Sequence, residues 1–135
     1  MRSGFVFLSM LASALALSPS SSRSQQATPR PLAINLDPAA TGYTPVRTGP
    51  PTTVGLRSGY VVLAPGTSVG RHSTERYEEL IVVLSGAGEL SLTGRSPLPL
   101  REGTVAYSPP HTEHDVLNTG AVPLRYLYIV APDRR

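Results

Sequence analysis

Two short windows of this 135-residue chain hold residues whose types and spacing suit metal chemistry. All three histidines fall in these windows, His72 in the first and both His111 and His114 in the second. The first window also contains Glu79. Imidazole and carboxylate groups are protein ligands for Zn, Fe, Mn, Ni or Cu. No other part of the sequence offers a comparable set, so these windows form the candidate metal-binding region.

Side-chain alternation predicts which residues of the first window face one another. Residues two apart on a strand share a face, so His72 and Thr74 are expected to point the same way. Residues 75–78 are polar and predict the turn that reverses the chain. Glu79 then begins an apolar segment and shares a face with Ile81. A carboxylate buried there is costly unless a cation or a protonated histidine neutralises it.

The second window supplies a histidine from a strand distant in sequence. Pro109 and Pro110 predict a rigid entry turn without backbone donors. His114 is expected to share one strand face with Asn118, which we interpret as a structural residue. His111 lies in the turn, where it could be a ligand, an acid or base, or an exposed loop histidine.

Short β-strands are the elements that must position these residues. From Leu32 onward, apolar runs alternate with glycine and proline, and no long segment has helical periodicity. About eight to ten strands at this spacing predict an all-β sandwich or barrel. Residues 80–84 are predicted inside a sheet, residues 85–88 in a hairpin turn and residues 98–100 at a sheet edge. The other predicted strands cover residues 32–36, 54–63, 89–92, 105–107, 115–118 and 124–130.

Both windows resemble the paired motifs of the cupin family, and they align without an insertion. The motifs are Gly66-x5-His72-x-Thr74-x4-Glu79-x6-Gly86 and Gly103-x5-Pro109-x-His111-x2-His114-x3-Asn118. Thr74 stands where the family pattern has a second histidine, and His111 replaces a usual glycine. The resemblance implies an antiparallel double-stranded β-helix, or jelly-roll barrel, over residues 32–135. The resemblance also suggests a homodimer. Separately, Gly66, Gly86 and Gly103 are expected in turns that need a positive φ.

The resemblance implies a divalent transition metal (Fe, Mn, Zn or Ni) held by His72, Glu79 and His114. This set is similar to the facial ligands of non-haem Fe(II) oxygenases. It suggests an oxygenase or isomerase acting on a small polar organic molecule, without assigning catalytic residues. The alternatives are a metal-free module that binds a sugar or small ligand, and a structural or storage role. In either, the three side chains would simply hydrogen-bond one another.

Four further side chains are candidate donors to the pocket. Arg57 has the strongest claim, because a guanidinium can fork onto a substrate carboxylate, although outward exposure is the alternative. Tyr60, Tyr77 and Tyr107 could also contribute, or could serve packing alone.

The first residues predict export. Residues 1–18 combine Arg2, an apolar run and small residues, which is typical of a signal peptide, with an uncleaved anchor as the alternative. Residues 19–31 are rich in Ser, Gln and Pro and predict a disordered linker. We therefore expect a secreted or periplasmic protein without stable membrane association after cleavage.

Composition excludes several classes of chemistry. Cysteine and lysine are absent, so thiolate sites, disulfides and Schiff-base chemistry are excluded. The net charge is +3, but the 12 arginines are scattered among acids. Without a basic stripe or an aromatic platform, nucleic-acid binding is not expected. A small-molecule ligand is the expected partner.

Overall fold

The computed structural model describes residues 28–133, which form nine strands in two antiparallel sheets. The sheets have the orders β1-β2-β9-β4-β7 and β3-β8-β5-β6. The strands are β1 Gly42–Thr48, β2 Arg57–Leu63, β3 His72–Ser73, β4 Tyr77–Ser85, β5 Ala87–Leu92, β6 Leu98–Arg101, β7 Val105–Ser108, β8 Glu113–Leu117 and β9 Leu124–Pro132. None of the described residues belongs to a helix with the length and apolar character needed to cross a membrane.

The core lies between the two sheets and follows from alternation along the strands. On β4, Ile81 and Val83 are almost fully buried, whereas Leu80 and Leu84 on the opposite face are exposed. β8 and β5 contribute Val116 and Leu90 from the facing sheet. Burying one such side chain stabilises the fold by roughly 1.5–3 kcal/mol. The all-β prediction is confirmed.

Two predictions about where a strand lies within its sheet are confirmed. β4 lies between β9 and β7, inside its sheet as expected, although its outer face meets solvent. β6 forms an edge of the four-stranded sheet, as the prolines near Leu98–Leu100 indicated.

Gly66, Gly86 and Gly103 all have positive φ, as predicted for turn residues.

The predicted hairpin at residues 85–88 is wrong. β4 pairs with β7 and β9, while β5 pairs with β6 and β8, so this segment carries the chain from one sheet to the other. The crossing is very close to neighbouring backbone. A Cβ on Gly86 would lie 2.6 Å from the Pro123 carbonyl oxygen, and one on Gly88 would lie 2.4 Å from that of Leu117. The glycines permit a crossover, which local turn chemistry alone cannot distinguish from a hairpin.

The start of the domain also differs from expectation. Residues 32–36 form no strand and are largely exposed, although their apolar side chains alternate along the chain. The first strand is instead β1, which carries Pro45 and a register shift between Pro45 and Arg47. β2 begins at Arg57 and not at Val54. The predicted leader and most of the predicted linker, residues 1–27, lie outside the described residues.

Candidate metal centre

Two imidazoles meet because β3 and β8 are neighbours in one sheet. His72 lies directly opposite His114 in the antiparallel register. Directly paired residues project from the same face, so both rings lie on one face of this sheet, with His114 fully buried and His72 exposed to solvent. Their centroids are 4.5 Å apart, with the ring planes tilted by 55°.

The carboxylate comes from the opposite sheet. Glu79 on β4 shares the buried face with Ile81, as predicted, and is only 6 % exposed. Its Oε2 lies 2.9 Å from His114 Nε2. One ligand atom from each of His72, Glu79 and His114 falls within 4.8 Å of the other two. The structure therefore brings the three predicted residues to one point.

Each histidine ring is oriented by a backbone carbonyl two residues earlier in the chain. His72 Nδ1 lies 2.9 Å from the Gly70 carbonyl oxygen, and His114 Nδ1 lies 2.9 Å from that of Thr112. A carbonyl only accepts, so both Nδ1 atoms carry the hydrogen. This leaves Nε2 of each ring as the atom that can bind an ion. Carbonyl support of this kind is typical of metal-binding histidines.

Ser108 is a member of the site that the sequence interpretation missed. Its side chain is fully buried at the end of β7, and its hydroxyl lies 3.1 Å from His114 Nδ1. Alternation offered a signal, because Ser108 shares a strand face with buried Ala106. The two supporting carbonyls had no such signal, since any residue type supplies one.

Opposing effects act on the His114 pKa, and the net shift is upward. Burial lowers it most strongly, but the hydrogen bonds that His114 donates to Glu79 and to the Thr112 carbonyl, together with the negative charges of Glu79 and Asp115, outweigh burial. The raised pKa favours the protonated ring, which donates to Glu79 through Nε2. A metal ion and this proton would occupy the same side of the ring, so they compete.

A cavity of about 360 Å³ opens beside the three donors. Its walls are mainly apolar and include Val61, Val116 and Val130. Tyr43 and Tyr128 also line it, and their hydroxyl oxygens are 2.5 Å apart. Burial, followed by the hydrogen bond with Tyr43, raises the pKa of Tyr128, so this phenol stays neutral. The volume suits a small organic molecule.

Thr74, at the motif position of a second histidine, lines the cavity but is absent from the donor group. Its hydroxyl donates a 2.7 Å hydrogen bond to the Tyr77 carbonyl. This bond closes the turn between β3 and β4. Thr74 therefore shapes the turn that returns the chain to Glu79.

His111 is placed in an exposed turn and is absent from the donor group. It adopts a positive φ of 56°, and its backbone N–H donates to the Glu75 carbonyl at 2.6 Å. The usual glycine at this motif position fits the same backbone conformation. Of the three alternatives for His111, the structure favours the exposed loop histidine.

The remaining candidates divide between packing and a second cavity. Asn118 is structural, as predicted, because its amide donates to the carbonyls of Leu63 and Val122. Tyr60 is buried and accepts a hydrogen bond from Arg125. Tyr107 is exposed and donates to Glu78, away from the donor group. Arg57 and Tyr77 line a second cavity that shares Tyr43, Thr74, Tyr128 and Val130 with the one beside the donors.

Comparison with known proteins agrees with this geometry. The family model described as "Cupin domain" matches residues 59–130, which include all three donors. The chain belongs to the cupin family. Its match to this model spans the strands from β2 to β9, and thus both sheets of the site.

Individual relatives are similar over part of their length. This cupin is 35% identical over 85 residues to protein SchB of Streptomyces halstedii, covering 61% of each chain. It is 32% identical over 68 residues to the oxalate-binding protein of Thermotoga maritima, covering 50% of this chain and 55% of that one. It thus spans less than two thirds of either relative. A cupin 2 conserved barrel domain protein from Salinispora arenicola has the same fold, with a TM-score of 0.63, 24% identity and coverage of 78% of this chain and 92% of that one.

Proposed function

We propose that this cupin binds one divalent transition metal through His72, Glu79 and His114, and that it binds or transforms a small polar organic molecule in the adjoining cavity. The observation that carries the proposal is the pair of backbone carbonyls that hold both Nδ1 hydrogens and leave both Nε2 atoms for an ion. Glu79 adds a buried negative charge on the same side. Two imidazoles and a carboxylate suit Fe, Mn, Zn or Ni.

When bound, the ion would act as a Lewis acid toward an oxygen-bearing substrate, which is the chemistry shared by metal-dependent oxygenases and isomerases. The chain itself contributes orientation and a dry environment. Ser108 and the Thr112 carbonyl fix the His114 ring, and Val116 and Val130 exclude water from the cavity wall. The oxalate-binding relative supports a small oxygen-rich ligand.

Metal analysis of purified variants tests this proposal. Wild-type protein reconstituted with Fe, Mn, Zn or Ni and then desalted is expected to retain about one ion per chain. His72→Ala is expected to lose it, because only Glu79 and His114 remain. His111→Ala is the matched control, since His111 lies outside the donor group, and it should retain the ion. Metal-free wild type, or loss in both variants alike, would contradict the proposal.

A metal-free binding module is the second candidate, favoured by one observation. His114 and Glu79 already form a buried, charge-assisted hydrogen bond of 2.9 Å that is satisfied without an ion. In that case the cavity would hold a small ligand without turnover. Wild-type protein that retains no metal but still binds ligand would favour this module.

The N-terminal segment completes the proposal. The sequence pattern of residues 1–18 supports secretion or periplasmic export, and the homodimer implied by the family remains part of the proposal. Mass spectrometry of exported protein, together with its sedimentation in solution, tests both. An intact N-terminus after export would contradict cleavage of a leader.

A further inference from the structure

An arginine stands in line with the metal-binding carboxylate across three neighbouring strands. Arg57 on β2 pairs with Val130 on β9, and Val130 also pairs with Glu79 on β4. Residues paired in this way share a face, so Arg57 begins on the same inner face as Glu79. Two strand spacings separate their Cα atoms by about 10 Å.

The guanidinium of Arg57 is held over an aromatic ring. Its Cζ lies 4.4 Å from the centroid of Tyr77, which shares a strand face with Glu79 two residues later. Its aliphatic stem passes the backbone of Gly49, where a Cβ would come within 3.3 Å of Arg57 Cγ. Arg57 is exposed to solvent, but its side chain is held at both ends.

A second guanidinium group lies beside Tyr77. Arg76 also lies over Tyr77, with its Cζ 5.5 Å from the ring centroid. Hydrogen bonds from Arg76 and then Arg57 lower the pKa of the Tyr77 phenol. One phenol oxygen cannot occupy all the donors of two guanidinium groups, so donors remain for an anion.

The cavity lined by Arg57 and Tyr77 adjoins the candidate metal centre. Arg57 and Tyr77 line a cavity of about 380 Å³ whose other walls include Glu75. This cavity shares Tyr43, Thr74, Tyr128 and Val130 with the cavity beside the three donors. The two cavities therefore lie side by side along these shared residues.

We propose that Arg57 binds a distal carboxylate of the ligand, and that the ligand is a small dicarboxylate or an oxo- or hydroxycarboxylate with a second acidic end. The inference rests on the proposed function, because the ligand's other oxygen-bearing end lies at His72, Glu79 and His114. Arginine suits this role through its planar fork, which matches a carboxylate in two parallel hydrogen bonds.

Calorimetric titration of the metal-loaded protein with matched acids tests the inference. Succinate and glutarate are compared with butyrate and valerate, which lack the second carboxylate. The dicarboxylates are expected to bind more tightly to wild type. Arg57→Gln should weaken their binding about tenfold or more, since it removes charge-assisted hydrogen bonds, and should leave the monocarboxylates nearly unchanged. Arg57→Lys should restore part of the loss, because it keeps the charge without the fork.

Arg101→Gln is the matched control, because Arg101 is an exposed arginine on an edge strand of the other sheet. It should bind all four acids as wild type does. Equal affinities for each dicarboxylate and its monocarboxylate, or an Arg57→Gln variant with wild-type affinity, would overturn the inference.

Metal content measured on the same samples separates the two proposals. If the protein retains its full metal content but its dicarboxylate affinity does not depend on Arg57, the distal contact is wrong and the metal-binding proposal is unaffected. Dicarboxylate binding that depends on Arg57 in a protein that retains no metal supports the distal contact and contradicts the metal-binding function.

Discussion

Replacing Glu79 with glutamine should reverse the order of stability between wild type and variant as pH rises, when both proteins are metal-free. Glu79 and His114 form a buried pair in which His114 Nδ1 donates to the Thr112 carbonyl. Below the unfolded-state pKa of about 6.5, His114 is protonated and donates to the carboxylate through Nε2. The stability from this bond is fully present there, and it is lost as pH rises through the elevated folded-state pKa.

The size of the effect follows from the kind of bond. A hydrogen bond to a charged group contributes about 1.5–3 kcal/mol, so Glu79→Gln should be less stable than wild type by about 2 kcal/mol near pH 6. Above the raised folded-state pKa, neutral His114 presents a lone pair to the carboxylate at 2.9 Å in wild type. In the variant, the glutamine amide can donate to that lone pair instead. The variant should then equal or exceed wild type in stability.

Urea unfolding in the presence of a chelator, followed between pH 6 and pH 9, measures this reversal. Glu102→Gln is a suitable control, because Glu102 is an exposed carboxylate in the turn between β6 and β7. It should change stability little at either pH. A Glu79→Gln variant that differs from wild type by the same amount at both pH values would refute the assigned tautomer and the proton on His114.

Three further predictions concern the metal site and the core. Metal occupancy should fall as pH drops toward about 6 and below, since protons displace the ion from the imidazoles, and occupancy that stays constant in acid would contradict the ligand assignment. Ser108→Ala should weaken metal affinity about tenfold while the ion is still bound, as measured by chelator competition; unchanged affinity would remove Ser108 from the support of His114. Ile81→Ala should lower the free energy of unfolding by about 2–5 kcal/mol in urea titration, and a loss below 1 kcal/mol would show that this core position is loosely packed.

The sequence predicted the parts of the fold that depend on the alternation of apolar side chains along strands and on the positions of proline. Buried Ile81 and Glu79 followed from the two-residue period of β4, and the edge position of β6 followed from its prolines. The crossover at residues 85–88 was not predictable, because the close approach of Gly88 to the Leu117 carbonyl is a property of packed sheets. A turn sequence reports local backbone freedom and not the sheet that the next strand joins.

The candidate site was predictable to a similar extent. Spacing within the two windows was enough to select His72, Glu79 and His114, since strand periodicity decides their faces. The hydrogen-bond support was not, because it comes from backbone carbonyls that carry no residue signature. Arg57 was a candidate from its residue type alone, but its alignment with Glu79 depends on the register of three strands, which relates residues far apart in the chain.

Anomalous diffraction from crystals of the metal-loaded protein tests the central claim most directly. The account predicts one strong peak at about 2.0–2.2 Å from Nε2 of both His72 and His114 and from a carboxylate oxygen of Glu79. A peak beside either Nδ1 atom, or one that leaves out any of these three side chains, would contradict it.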